Sequence, residues 1–204
     1  LCVNASVRQV ESEWFFDEVA ASLEASAMDP ASLTLEITES LFMSDFEATV
    51  AKLKQLKAIG MKLAIDDFGT GYSSLNYLRS LPIDILKIDK SFVEGVARGP
   101  EQSAVARAVV KLARTFGLET VAEGIERSEQ LAELVSIGAD MGQGYLFSRP
   151  LDAQGMEAFL SEDRLGGDHG NGRHHLEEPD DGRRAAPTGE GARDEGIPGD
   201  ERRR

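Results

Sequence analysis

Over the first 160 positions, apolar residues keep two alternating rhythms. Short runs of four to six residues, several opening on strict alternation, are separated by longer stretches with an apolar side chain every three or four positions. The short runs predict strands at 1–4, 33–38, 62–66, 85–88, 120–123 and 144–147. The longer stretches predict helices at 13–27, 46–59, 72–81, 102–116 and 129–137, with a further one at 153–160. Punctuation agrees with this division. Gly60, Gly117 and Gly138 each follow a helical pattern as a stop, Asp29-Pro30 closes the first helix, and Ser128 reads as an N-cap. In the 102–116 helix the stripe Val105, Val109, Leu112 and Phe116 reads as core-facing. Strands alternating with helices imply parallel strands joined by right-handed crossovers.

Two architectures share that alternation, and the strand ends choose between them. Each predicted strand carries a polar group at or beside its end: Asn4, Glu36, Asp66 with Asp67, Lys87, Glu123 and, at the last, Gln143. In (β/α) barrels the C-terminal ends of many strands converge on one site. A doubly wound sheet would place a glycine-rich phosphate loop after its first strand, and none follows Asn4. The fold expected is therefore α/β, a TIM-type (β/α) barrel. A full barrel has eight strands in roughly 250 residues. Six strands fit here, so the expectation is about six of eight βα units, incomplete at the N-terminus, with two sheet edges left open. The chain also starts inside a strand and without methionine, as the C-terminal piece of a longer protein would.

Composition narrows the picture. From Asp163 onward there is no aromatic residue, and Leu165, Leu176 and Ile197 are the only large aliphatics. Such a segment cannot bury enough apolar surface to offset its ordering entropy, so residues 1–162 are expected to form the domain and 163–204 a disordered tail. The net charge of -14 argues against a nucleic-acid partner, which needs a basic face. An anionic ligand would need bound metal to attract it. All three histidines lie in the tail, which removes histidine triads, histidine bases and histidine-ligated zinc from the domain. The single cysteine, Cys2, precludes an intramolecular disulfide and points to a cytoplasmic setting. No apolar run is long enough to span a bilayer, although a longer parent could be membrane-anchored.

The most specific stretch is Lys62-Leu-Ala-Ile-Asp66-Asp67-Phe68-Gly69-Thr70-Gly71-Tyr72-Ser73-Ser74-Leu75. A buried strand delivers two adjacent carboxylates to its end and hands over to a glycine-rich loop. Adjacent carboxylates near a buried strand end need compensating positive charge, and hard divalent cations prefer carboxylate oxygens. The plain alternative is a solvated strand end whose acids cap the next helix.

Together the strand ends resemble the EAL domain family of cyclic-di-GMP phosphodiesterases. The matching segments are Val3-Asn4-Ala5-Ser6, Leu35-Glu36-Ile37-Thr38-Glu39-Ser40, Asp66 to Leu75, Leu86-Lys87-Ile88-Asp89, Ala122-Glu123-Gly124-Ile125-Glu126, and Gln143-Gly144-Tyr145 with Arg149-Pro150-Leu151. The resemblance implies hydrolysis of cyclic di-GMP by two divalent cations, Mg2+ or Mn2+. Asn4, Glu36 and Asp66 would hold one ion, and Asp66, Asp67 and Glu123 the second, with Asp66 bridging. Lys87 would position the attacking water or the phosphate, Gln143 would complete the site, and Glu126 would steady the loop after Asp67. A homodimer is also implied. Each residue has a structural alternative. Glu36 could be a paired core acid, Lys87 a snorkelling side chain, Asn4 a turn cap, and Gln143 a partner for backbone groups; Glu39 and Glu119 read as structural or surface acids. The family's Glu-Ala-Leu motif is not in this chain. A non-catalytic cyclic-di-GMP-binding or protein-interaction module is therefore the second reading. A carboxylate-metal barrel of the enolate-forming kind, with Lys87 as base, ranks third.

Overall fold

The computed structural model describes residues 1–42, 45–69 and 78–161, with the backbone of His174–His175. Its strands are β1 (Cys2–Asn4), β2 (Thr34–Thr38), β3 (Lys62–Phe68), β4 (Ile85–Ile88), β5 (Glu119–Ala122), β6 (Met141–Gly142) and β7 (His174–His175). The helices are α1 (Val7–Glu11), α2 (Phe15–Ser26), α3 (Phe46–Ile59), α4 (Lys90–Val93), α5 (Ala104–Phe116), α6 (Ser128–Ile137) and α7 (Ala153–Ser161). Strands β1 to β6 are parallel and lie in the sheet in chain order. A doubly wound sheet reverses its order at a switch point. No reversal occurs here, and the fold is an open stretch of (β/α)-barrel wall.

Strand periodicity divides the residues between two faces. Leu35, Ile37, Leu63, Ile65, Leu86, Ile88 and Ala122 face outward into one large core with Leu53 and Leu56 of α3, Val109, Val110 and Ala113 of α5, and Leu134 and Ile137 of α6. Ala64, Ile85, Val121 and Met141 form a separate small cluster on the inner face. Two residues further along each strand direction, on that same inner face, stand Asp66, Lys87, Glu123 and Gln143. A layer of apolar side chains thus floors a layer of polar ones.

Several element boundaries move from their expected places. The last strand is Met141–Gly142, not 144–147. The apolar run Tyr145-Leu146-Phe147 imitates a strand, yet Phe147 N–H and Ser148 N–H both bond back to the Gly144 carbonyl in a turn. A short helix not expected from the pattern, α1, capped by the Ser6 side chain, precedes the first expected one, which is α2, ending at Ser26 with Ala27 left-handed. Asp29 caps the short turn Pro30–Ser32 instead of closing α2, with its carboxylate accepting from Ala31 N–H at 3.0 Å. Arg127, not Ser128, is the N-cap of α6. Val105 is exposed, because the face of α5 that packs inward is Ala106, Val109, Val110 and Ala113. Gly60, Gly117 and Gly138 do end α3, α5 and α6 in left-handed conformation. Most of the expected helix at 72–81, and the tail apart from the β7 backbone, lie outside the described residues. At β7 the chain pairs antiparallel with β6, Met141 opposite His175 and Gly142 opposite His174, where the edge of β6 offers unpaired backbone groups. No helix among the described residues is long and apolar enough to cross a membrane.

Candidate metal-binding active site

The site begins with an irregularity in β3. Ile65 pairs with Leu86 and Phe68 with Ile88, so three steps along β3 match two along β4. That extra residue is a bulge, and Asp67 within it takes a left-handed backbone with φ 53°. Regular alternation would send Asp66 and Asp67 to opposite faces. The bulge instead brings carboxylate oxygens of Asp66, Asp67 and Glu123 within 4.8 Å of one another.

Lys87 is the hub of the cluster. Its side chain is 3% exposed, and its ammonium lies 2.6 Å from Glu36 Oε2, 2.9 Å from Asp66 Oδ1 and 2.6 Å from Glu123 Oε1. β2, β3, β4 and β5 each contribute one partner or lie one residue from it. Gln143, just past β6, donates from Nε2 to Glu123 Oε1 at 2.8 Å. Burial would push the Lys87 ammonium down, but hydrogen bonds to Glu123 and Glu36 and the Glu123 charge outweigh it and hold the group above the ordinary lysine range. Burial raises Glu123; Lys87 opposes this, while Asp66 and Glu36 reinforce it. Burial and the Asp66 and Asp89 charges raise Asp67. Asp89, beside Asp67, falls below its ordinary range despite burial, chiefly because the Ser91 hydroxyl and N–H donate to its carboxylate.

Three carboxylates (Glu36, Asp66 and Glu123) share one ammonium and Asp67 stands beside them, leaving surplus negative charge. Such a set of hard oxygen donors, two of them pushed toward protonation by burial and by neighbouring charge, fits divalent cations. Asn4 stands at the end of β1 in register with Glu36. Glu126 is not in the cluster: it is exposed and pairs with Lys90 at 2.7 Å. Among the described residues, Glu39 reaches the start of the loop after Asp67: its Oε1 accepts from Gly69 N–H at 2.9 Å. The sequence alone reads Glu39 as a structural or surface acid and assigns Asp89 no role. Their signals, an acid three residues after Glu36 and one two after Lys87, are too common to single out alone. The loop residues 70–77 lie outside the described residues. Beside Glu123 and Gln143 opens a cavity of about 460 Å³, walled by Tyr145, Phe147 and Phe159 and flanked by Lys90 and Arg149. The Arg149 guanidinium lies 5.1 Å from the Tyr145 ring centroid.

Residues 1–150 match the family model described as the EAL domain. The chain belongs to the EAL domain family. Over 160 residues it is 41% identical to the cyclic di-GMP phosphodiesterase NbdA of Pseudomonas aeruginosa, covering 78% of this chain and 20% of that protein. The PaMucR phosphodiesterase in complex with c-di-GMP superposes with a TM-score of 0.72 at 41% identity, over 76% of this chain and 63% of that one. A manganese and cyclic-di-GMP complex of Klebsiella pneumoniae BlrP1 aligns at 34% identity with a TM-score of 0.68, over 74% and 38%. This EAL chain spans about a fifth of the length of the curated relatives it matches.

Proposed function

We propose that this EAL domain hydrolyses one phosphodiester bond of cyclic di-GMP to give the linear dinucleotide, with two divalent cations, Mg2+ or Mn2+. The convergence of Glu36, Asp66 and Glu123 on one buried lysine, at the C-terminal ends of barrel strands, carries this reading. Asn4, Glu36 and Asp66 would hold one ion and Asp66, Asp67 and Glu123 the other. Bound there, the ions would activate water at neutral pH and offset charge on the phosphate and the leaving oxygen.

The protein's own groups do the positioning. Lys87 keeps its proton across the working pH range, so it serves as a fixed cation that orders three carboxylates and faces the phosphate. Gln143 holds Glu123 in place by donating to it, which leaves the amide oxygen for a polar substrate group. The adjoining cavity, with Tyr145, Phe147 and the Arg149 cation, suits one purine base. A cytoplasmic, homodimeric state belongs to the same proposal; the lone cysteine agrees with a reducing compartment.

Hydrolysis of cyclic di-GMP with Mg2+ or Mn2+ tests the reading directly. Turnover that is lost on chelation and largely lost in Asp66→Asn, with the fold retained, is the expected result. Tight dinucleotide binding without any turnover would favour the binding-module reading instead.

A further inference from the structure

We propose that Gln130 is a positioning residue of the carboxylate centre, clamping the turn that follows Glu123 onto α4. Gln130 is the third residue of α6 and is 2% exposed. Its Oε1 accepts from Glu126 N–H at 3.0 Å and Arg127 N–H at 2.9 Å. Its Nε2 donates to the Val93 carbonyl at 3.2 Å. A helix cap accounts for the Oε1 contacts, since a third-position Gln often reaches back to the N-cap backbone. The Nε2 bond reaches a residue 37 positions away and serves no cap. It joins α6 to α4.

That junction lies between the two halves of the site. Val93 ends α4, whose N-cap Asp89 stands beside Asp67 and whose Lys90 pairs with Glu126. Glu126 is three residues beyond Glu123. The path therefore closes a ring: Asp67, Asp89, α4, Gln130, the 124–127 turn, and back to Glu123. Gly124 keeps the ring tight, because a Cβ there would fall 2.5 Å from Lys90 Cγ. A buried amide bonded at both ends is directional, its oxygen only accepting and its nitrogen only donating. Gln130 thus sets how far the Glu123 side of the centre stands from the Asp67 side.

The consequence for metal rests on the proposed function, whereas the clamp itself does not, and two readouts on the full chain separate them. Hydrogen exchange at the Glu126 and Arg127 amides reads the clamp, and calorimetric Mn2+ titration reads the spacing. Gln130→Met should lose protection at both amides and bind Mn2+ about 10-fold more weakly, as loss of outer-sphere support commonly does. Gln130→Glu still accepts, so it should keep that protection, yet it cannot donate to Val93 and should still weaken Mn2+. Val110→Ala, a core truncation in α5, should lower the melting temperature and leave Mn2+ affinity unchanged. Unchanged affinity in both Gln130 variants overturns the proposal, as does an equal loss in Val110→Ala. If Gln130→Met does not fold, Gln130→Glu against Val110→Ala decides. A wild-type chain that binds no Mn2+ overturns the metal reading instead; retained amide protection in Gln130→Met would then overturn the clamp.

Discussion

Lys87 is buried because three carboxylates surround it, and they tolerate burial because it is there. Removing one partner from such an arrangement leaves the others charged and desolvated, at a cost of about 3–5 kcal/mol. Lys87→Met keeps the length of the side chain and discards the charge. The metal-free variant should unfold at a clearly lower denaturant midpoint, and Mn2+ should restore part of the loss by replacing the missing cation. An unchanged midpoint would mean that the three acids are held by something other than Lys87. Asp67 and Glu123 predict a pH dependence of definite sign. Their folded values are raised, so the metal-free folded state binds protons more tightly than the unfolded chain. Their contribution to stability therefore improves as pH falls from neutral into the range just above ordinary carboxylate values. Asp89 is lowered and acts in a lower window: its contribution is lost as pH falls below the ordinary value. Cations compete with protons at Asp67 and Glu123, whose affinity for protons is raised, so Mn2+ affinity measured by calorimetry should rise with pH. Affinity independent of pH would contradict that coupling.

Among the elements, the ends of β3 and β6 matter most. The bulge in β3 turns a sequence pair, Asp66-Asp67, into a spatial pair, and left-handed Asp67 then passes the chain to Gly69 under Glu39. At β6 the strand stops after two residues because the chain must cross the 124–127 turn at very close range. A Cβ on Gly144 would lie 2.2 Å from the Ile125 carbonyl oxygen, and backbone cannot yield as a side chain can. Gly117 has φ 70° but nothing within 4 Å of such a Cβ. Gly117→Ala should accordingly cost only the left-handed penalty, about 1–2 kcal/mol. Gly144→Ala should cost more, by about 1–3 kcal/mol of overpacking, and should separate Gln143 from Glu123. Urea denaturation of the two variants side by side checks the order. Equal losses would show that the crossing is looser than the geometry indicates.

For the molecule as a whole, inner-face charge is the organising feature. The chain carries a net charge of -14, and three carboxylates gather around one lysine at the C-terminal ends of the strands, with Asp67 beside them. Cations that bind only the folded state must stabilise it by mass action, about 2.7 kcal/mol at a hundred times the dissociation constant. Thermal melts should thus shift upward with Mn2+ or Mg2+, and the shift should shrink in Asp66→Asn, which weakens the shared ligand. A shift of the same size in that variant would place the ions elsewhere on this acidic surface.

Much of this was legible in the amino-acid sequence. The pattern marks Glu36, Asp66, Lys87 and Glu123 as polar groups at the ends of apolar strands, and β4 and α3 lie at the boundaries it predicts, because both are local properties of burial. The polar strand ends also led to the barrel and the EAL family. The residue-level contacts needed the fold. No local signal distinguishes Glu39 from any other strand-end acid, yet the parallel register brings it to Gly69 across 30 positions. The apolar run 145–147 carries strand propensity and forms a turn, since the backbone of Ile125 occupies the space a continuing strand would need. Gln130 looks like any polar helix residue until the end of α4 comes within hydrogen-bond reach of it. Composition and periodicity are short-range quantities and determine which face each residue takes. Which distant groups meet on that face depends on strand register and on one bulge, and those are set only when the whole sheet assembles.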